Sequence, residues 1–497
     1  MSPIPPRFNL ARACLQRQAR ETPDKIALIV VTDAADVPGA ERCTYAQLDL
    51  AVRSVAAGLL ARGLKPGDRL VLQLPNNSDY ALLFFGAIAA GIVPVPISAQ
   101  LTEDEAAFLI DNAEAAAVAG GAGRHPNSLN ADAIAAIKSA SPLASYADTA
   151  AEDPAYMIYT SGTGSRPKGV VHAHRVLLGR APMRAEWEAI GPGDIMLHAG
   201  AFNWSYTLGV GLLDPWSVGA CAVLYAGPKD IHIWPRLIHD TGATLFAAVP
   251  GLYRQLLKYG SIDRADFSTL RHALAAGEAM SPNIHGAWLA ATGRELYGAF
   301  GMSECSTFIS SGPAIPVRPG SAGKPQQGRH IAILPIEQGD VPLAPGETGL
   351  LAIHRTEPGL MLGYWRRPDE DALTSRGNWF VGGDLASIDA DGYLWHHGRA
   401  DDTMNAGGYR VSPVEVEAAF AGFPGIAEIA VKEHRVRDDL TIIAAWVVRD
   451  AGSTISEGEI LAHAEAKLAA YKRPKQVNFV GTLPRNTNGK VLRRLLV

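Results

Sequence analysis

Between Lys25 and Ala119 the chain alternates short β-branched runs with capped helical segments, and this rhythm restricts the fold more than any other feature. Lys25 to Val31, Leu70 to Leu74, Ile92 to Pro96 and Ala116 to Ala119 read as strands. Asn9 to Arg20 reads as an amphipathic helix. Thr44 with Gln47 makes a capping box, after which Leu48, Val52, Val55 and Leu59 share one helical face until Gly63 stops it. Asp79 to Ala90 is a further helix, and Thr102 with Glu105 is a second capping box. The rhythm resumes at Ile195 to Ala199, Ala220 to Tyr225, Thr244 to Val249, His272 to Ala276 and Glu295 to Gly298. Strands interleaved with helices pair in parallel and carry helices on both faces, so the fold class is α/β with doubly wound sheets. Tyr80 to Pro96 is the most apolar run. Gly86, Gly91, Pro94 and Pro96 interrupt it, which predicts a buried helix and strand rather than a membrane span.

Gly120 to Ala150 is small and polar and reads as a surface connection. Pro316 to Gly363 is rich in Gly and Pro, with short β runs at Ile331 to Leu334 and Gly349 to His354, and predicts a small β subdomain. Composition shifts again after Gly398. From Arg399 onward the pattern is that of a separate α+β module, with a helix from Pro413, strands near Ile426 to Glu433 and Thr441 to Val448, a helix from Ser456 and a basic tail. The 497 residues leave ample material for two or more domains. A net charge of −5 gives no reason to expect nucleic acid or an anionic membrane as partner. The cysteines Cys14, Cys43, Cys221 and Cys305 form no CxxC pair. That disfavours a zinc ribbon or disulfide framework and fits a reducing, cytoplasmic setting. The first thirty residues lack a signal-peptide pattern. Oligomeric state is open between monomer and homodimer.

The densest chemistry lies in Tyr159-Thr160-Ser161-Gly162-Thr163-Gly164-Ser165-Arg166-Pro167-Lys168-Gly169. Glycines let the backbone turn tightly and approach a ligand, while N–H and O–H groups with cations cradle phosphate oxygens. It is not a Walker-type loop. Gly164 and Gly169 have the required separation, but Val170 and Val171 stand where Lys and Ser/Thr are needed. Other glycine-rich stretches carry isolated polar groups: Ala275-Ala276-Gly277-Glu278, Phe300-Gly301-Met302-Ser303-Glu304, Gly382-Gly383-Asp384, Gly398-Arg399-Ala400-Asp401-Asp402, Gly407-Gly408-Tyr409-Arg410 and Pro484 to Lys490. Each has a plainer reading. Asp384 fits a turn, Glu304 a solvated loop acid, Phe300 a core ring and Lys490 a solvated charge. His172 and His174 alternate onto one strand face, but with no third ligand nearby in sequence a metal pair is disfavoured. His396-His397 reads as a surface strand pair.

In this order and at these separations the stretches resemble the adenylate-forming superfamily of acyl- and aryl-CoA synthetases, peptide-synthetase adenylation domains and luciferases, over essentially the whole chain. The resemblance implies a large N-terminal AMP-binding domain over 1–398, a hinge over 399–401 and a small mobile C-terminal domain over 402–497. Thr160, Ser161, Gly162, Thr163, Gly164, Ser165 and Lys168 would hold the β- and γ-phosphates of ATP. Where the family usually has Thr-Gly, this chain has Gly164-Ser165, which implies altered loop detail. Gly277 and Glu278 would line the adenine pocket and Phe300 would stack on the base, with Gly301 and Met302 beside it. Ser303 would lie by the acyl phosphate and Glu304 would bind Mg²⁺. Asp384 would take the ribose hydroxyls with Arg399 beside it. Lys490 would bridge the carboxylate and the α-phosphate. Gly408, Tyr409 and Arg410 would serve coenzyme A in a second orientation of the C-terminal domain, with Asp401 as hinge.

The implied reaction joins a carboxylic acid to coenzyme A through an acyl-adenylate, consuming ATP and releasing AMP and pyrophosphate. No protein nucleophile is required, and no Ser or Cys shows an elbow motif. The acyl pocket would involve Phe202, Asn203, Trp204, Val249 and Ala299. Amino-acid-activating relatives commonly carry Asp near Asn203, whereas aryl-acid-activating relatives can carry Asn. Trp204 to Asp214-Pro215-Trp216 resembles medium-chain and benzoate-type CoA ligases. A small aromatic, short- or medium-chain, or hydroxylated acid is therefore expected. A stand-alone adenylation enzyme that loads a separate carrier protein is the alternative. A luciferase-like monooxygenase and a nucleotide-sensing regulator are less favoured.

Overall fold

Leu48, Val52, Val55 and Leu59 are wholly buried along the helix Tyr45–Ala61, as the amphipathic pattern requires. Its capping box closes through Thr44 N–H donating to Gln47 Oε1 at 2.9 Å and Gln47 N–H donating to Thr44 Oγ1 at 3.3 Å. The helices Leu10–Glu21, Tyr45–Ala61 and Ser78–Ala89 bury one another's apolar faces in a common core. The computed structural model describes residues 3–121, 125–160, 167–228, 230–278, 280–400, 402, 404–406, 409–437, 440–485 and 491–496; of residues 282, 405, 406, 409, 410, 437, 440 and 494 it describes the backbone alone. The chain divides into two compact units, residues 1–330 with 355–373, and residues 331–354 with 374–497. Among the described residues no helix is long and apolar enough to cross a membrane.

The first unit is built on a nine-stranded sheet. Its centre is parallel, in the spatial order Glu295–Met302, His272–Ala275, Leu245–Ala248, Ile195–His198, Cys221–Tyr225, Ile26–Val31. The edges are antiparallel: Glu41–Thr44 on one side, Ser306–Ser310 and then Lys324–Pro325 on the other. A second sheet, Val93–Pro96, Arg69–Gln73, Ala115–Gly120 and Ser128–Leu129, is parallel throughout. The doubly wound reading thus holds for both sheet centres. The segment Gly120 to Ala150 departs from its expected role as a plain connection. Asn130 caps a helix, Ala131–Lys138, which buries Ile134 and Ile137. Gly58 makes room for it, because a Cβ there would lie 2.5 Å from the Ile137 carbonyl oxygen.

The expected β subdomain from Pro316 to Gly363 is divided between the units. Ile331–Leu334 and Gly349–His354 form an antiparallel sheet of the second unit with Ser375–Arg376, Trp379–Ile388 and Leu394–Arg399. Gly363–Tyr364 instead pairs with Lys168–Ala173, which also pairs with Pro154–Thr160, in the first unit. The physical reason is a set of buried polar ties. Arg329 Nη1 lies 3.1 Å from Glu357 Oε2 with both side chains fully buried, and Arg175 Nη1 donates to the carbonyls of Pro358 and Leu360.

The second unit continues with a hairpin of Ile426–Arg437 and Leu440–Arg449, against which Gln476–Phe479 pairs in parallel. The helices Pro413–Ala418 and Glu457–Lys467 flank it, the latter opened by a capping box of Ser456 and Glu459. Residue 398, the expected domain boundary, falls within the strand Leu394–Arg399.

Removing one partner of a buried pair leaves an uncompensated charge. Glu357→Ala is therefore expected to cost about 3 kcal/mol or more in urea unfolding, and Arg329→Met in the same chain to recover part of the loss. A loss below about 1 kcal/mol would show that Arg329 finds solvent or another acceptor.

Candidate active site

The hairpin Pro154–Thr160 and Lys168–Ala173 sets Thr160 directly opposite Lys168 and Tyr159 opposite Gly169. Ser161, Gly162, Thr163, Gly164 and Ser165 lie outside the described residues, so their phosphate-binding roles stay expectations. Gly169 is required by packing, since a Cβ would meet Met157 Sδ at 2.6 Å and Trp365 Cβ at 3.2 Å. Lys168 Nζ lies 2.6 Å from Glu370 Oε2 and 5.1 Å from the centre of the Tyr364 ring.

The strand Glu295–Met302 carries Ala299, Phe300, Gly301 and Met302 and reverses through Ser303, Glu304 and Cys305 into Ser306–Ser310. The reversal needs glycine at 301, because a Cβ would lie 2.2 Å from the Ser306 carbonyl oxygen. Phe300 meets Phe308 edge-on at 5.8 Å. Three neighbours fix the turn. His172 Nε2 lies 2.8 Å from the Ser303 carbonyl, which can only accept, so Nε2 carries the proton. Met361 N–H donates to the Glu304 carbonyl at 2.7 Å. Arg180 Nη1 donates to Ser306 Oγ at 2.8 Å and holds Ser306 at φ 63°, a left-handed conformation unusual outside glycine. Arg180 is itself paired with Asp214, both fully buried. Ser303 Oγ is 3.5 Å from Ser205 Oγ.

Glu304 is half-buried, and its Oε1 accepts from the Tyr364 hydroxyl at 2.8 Å. Its neighbour Cys305 is buried, with the thiol pushed up to about 12 by desolvation. Such a thiol is not a nucleophile at neutral pH.

Trp204, Val249 and Gly277 converge. A Cβ on Gly277 (φ 95°) would touch Trp204 Cη2 at 3.4 Å and Val249 Cγ1 at 3.7 Å, so the indole lies against a bare backbone face. Glu278 lies 3.6 Å from Arg254 Nη2. Asn203 is half-buried beside Trp204, and its amide has no hydrogen-bond partner among the described residues. Ala299 packs, partly buried, against the apolar cluster that includes Met183, Trp187 and Val210. Phe202 is buried and stacked on Tyr80 at 5.2 Å, and Tyr80 donates to its carbonyl at 2.8 Å.

In the second unit Asp384 and Arg399 are directly paired across neighbouring strands, with Nη1 3.4 Å from Oδ2. His396 Nε2 lies 3.0 Å from Asp384 Oδ1, and His397 Nε2 lies 2.9 Å from Ser387 Oγ. Both rings are half-buried and engaged, so they are not the surface pair expected from sequence. Asp401, Gly408 and Lys490 lie outside the described residues. Tyr409 and Arg410 are described by their backbone, which pairs with Ala406 and Asn405.

His172 and His174 are structural rather than metal ligands. His174 Nδ1 accepts from Leu10 N–H at 3.1 Å, and no group of three His, Cys, Asp or Glu side chains suited to a metal ion occurs among the described residues. A single carboxylate still fits Mg²⁺, which takes one or two protein oxygens and completes its shell with phosphate and water. Glu304 fits that demand, since one oxygen is fixed by Tyr364 and the other makes no hydrogen bond among the described residues. Sequence reasoning missed Tyr364, Arg180 and Asp214. The last two left a readable trace, as lone charges inside the apolar runs Val176 to Met183 and Val210 to Trp216.

The comparisons agree with this architecture. Residues 15–365 match the AMP-binding enzyme family and residues 415–490 the AMP-binding enzyme C-terminal domain, so the chain belongs to the AMP-binding enzyme family. It is 32% identical to the 3-hydroxybenzoate–CoA ligase of Aromatoleum sp. (strain CIB), covering 93% of each chain. It is 30% identical to the benzoate–CoA ligase of Thauera aromatica, covering 90% of this chain and 89% of that one. The crystal structure of ATP-bound MatB from Rhodopseudomonas palustris superposes with a TM-score of 0.89 at 28% identity, over 98% and 97% of the two chains.

Burial pushes His172, His174 and His272 down from 6.5 to about 4. The unfolded chain binds these protons near pH 6.5 and the folded chain only near 4, so stability falls as pH drops through that window. Each group contributes a slope of up to about 1.4 kcal/mol per pH unit. His172→Gln keeps a donor for the Ser303 carbonyl but cannot titrate. Unfolding free energy measured from pH 7 to 4 is expected to fall less steeply in this variant, and an identical slope would mean that His172 is charged or exposed.

Proposed function

We propose that this protein is an AMP-forming carboxylate–CoA ligase whose acid is a small aromatic one of the benzoate or hydroxybenzoate class. The observation that carries the reaction is the meeting of Lys168 and Glu304 at one tyrosine, beside a glycine-rich hairpin loop. A cation for phosphate and an acid for its metal are what phosphoryl chemistry demands. A carboxylate oxygen attacks the α-phosphorus of ATP, the bond to the β-phosphate oxygen breaks, and pyrophosphate leaves. The thiol of coenzyme A then attacks the acyl carbon, and AMP leaves. Mg²⁺ would supply charge neutralisation on the phosphates, held by Glu304. Lys168 and the hydroxyls of the 160–165 loop position the triphosphate, Gly277 and Phe300 receive the base, and Asp384 with Arg399 takes the ribose. Lys490 serves the first step, and the Gly408, Tyr409 and Arg410 stretch the second.

The aromatic reading rests on the pocket. Trp204 against Gly277 offers a flat apolar wall, suited to stacking a ring rather than admitting a long chain. The Asn203 amide, which has no hydrogen-bond partner among the described residues, can bond a ring substituent. The two benzoate-type relatives support the same class.

Pyrophosphate release and acyl-CoA formation across benzoate, hydroxybenzoates and C4 to C12 fatty acids test this reading. Aromatic acids are expected to give acyl-CoA and AMP. Asn203→Ala is expected to lower kcat/KM for a hydroxybenzoate about tenfold while sparing benzoate, the worth of one hydrogen bond. Pyrophosphate release without acyl-CoA would favour loading of a carrier protein instead, and preference for fatty acids would refute the aromatic pocket.

Asp401→Pro fixes a backbone torsion at the expected hinge. It is expected to slow thioester formation at least tenfold more than adenylation, each half-reaction being measured in single turnover. Equal losses would show that residue 401 does not act as a hinge.

A further inference from the structure

Tyr364 touches two oppositely charged groups that come from distant parts of the chain. Its hydroxyl donates to Glu304 Oε1 at 2.8 Å, and its ring faces Lys168 Nζ at 5.1 Å. The side chain is buried, and its backbone is fixed on both sides. It pairs with Val170 in the strand that begins at Lys168, and its N–H donates to Asp371 Oδ1 at 2.9 Å. Glycine at 363 permits that cap, because a Cβ would lie 2.8 Å from Asp371 Oδ2. Glu370, one residue before the cap, holds the Lys168 ammonium at 2.6 Å. A short segment, 363–371, therefore places a phenol, a counter-ion and a backbone clamp around the lysine and the glutamate.

From this arrangement we propose that Tyr364 is a positioning residue for the divalent cation. It fixes the Glu304 carboxylate through one oxygen and leaves the other directed to the ion, while its ring keeps Lys168 alongside. The inference rests on the reading of Glu304 as the metal-binding acid. A hydrogen bond from a neutral phenol to a carboxylate restricts its rotation and is stronger than one between neutral groups. Without it the carboxylate must be ordered by the cation itself, which weakens cation binding. The cation–π contact does not depend on the hydroxyl. Phe and Leu at this position therefore separate the two functions.

The test is Mn²⁺ binding to the full-length protein with a non-hydrolysable ATP analogue, read from the free-Mn²⁺ electron paramagnetic resonance signal. Tyr364→Phe is expected to raise the Mn²⁺ dissociation constant about tenfold. In Mg²⁺ titrations of pyrophosphate release the same variant is expected to shift the midpoint by a similar factor, with kcat at saturating Mg²⁺ within about twofold. Tyr364→Leu is expected to raise KM for ATP as well, through the loss of the ring beneath Lys168. Glu304→Gln separates failure of the underlying reading from failure of the proposal. If it leaves Mn²⁺ binding unchanged, Glu304 is not the metal acid. If it weakens Mn²⁺ binding and Tyr364→Phe does not, the positioning role is overturned. Should Tyr364→Phe not fold, Asp371→Ala frees the same segment while leaving the phenol in place. A several-fold rise in the dissociation constant is then expected, and an unchanged constant overturns the proposal. A purely structural tyrosine would lower the melting temperature and kcat and leave the Mn²⁺ constant unmoved.

Discussion

The turn from Met302 to Ser306 depends on one buried guanidinium. Arg180 pairs with Asp214 and reaches Ser306 Oγ, so it joins the stretch after the hairpin of Pro154–Thr160 and Lys168–Ala173, the buried helix Asp214–Val218 and the turn that carries Glu304. A buried ion pair is weak evidence for stability, since desolvation cancels much of its attraction. Its worth here is geometric. Ser306 has a left-handed backbone, and Gly209 leaves the space the guanidinium fills, a Cβ there lying 2.1 Å from Arg180 Nη2. Burial, and then the neighbouring Asp214, holds Glu188 well above the ordinary carboxylate range.

Topology explains why the remaining residues of the first unit gather. The parallel strands Ile195–His198, Leu245–Ala248, His272–Ala275 and Glu295–Met302 are neighbours. Each is followed, at its carboxyl end, by one of the stretches with polar or bare-backbone character: Asn203-Trp204, Val249 to Gly251, Gly277-Glu278 and Ser303-Glu304. Open α/β sheets bind ligands outside the carboxyl ends of their strands. The approach of Trp204 and Val249 to Gly277 follows from parallel order and needs no special device.

Much of this was legible in the sequence because it rests on local rules. Capping boxes at Thr44 and Thr102, a buried helical face from Leu48 to Leu59, and runs of strand-forming residues depend on spacing alone. Glycine-rich stretches likewise marked Gly277, Gly301 and Gly169 as places of close backbone approach. What could not be read is long-range. Nothing near Tyr364 in sequence announces Glu304, and nothing near Arg329 announces Glu357, although these contacts return 355–373 to the first unit. The stacking of Phe202 on Tyr80 is of the same long-range kind. The helix Ala131–Lys138 was hidden by its alanines, whose burial depends on Gly58 in a distant helix.

A ligase that passes an acyl group to a thiol has to keep its own thiols from competing, because an acyl-adenylate reacts with any thiolate it meets. Cys305 meets that demand through burial rather than distance, since it directly follows Glu304; Cys14 and Cys221 are buried too, and Cys43 is half-buried. Desolvation raises the thiols of Cys305 and Cys221 to about 12 and that of Cys43 to about 11, and raises Cys14 further. At neutral pH a thiol of that kind is far less ionised than a solvent-exposed one, so an incoming coenzyme A has the advantage before any positioning is counted. The same low-dielectric interior that keeps His172 neutral and donating to the Ser303 carbonyl thus keeps Cys305 protonated beside it. Selectivity for the external nucleophile then comes from where the turn is buried, without a residue dedicated to it.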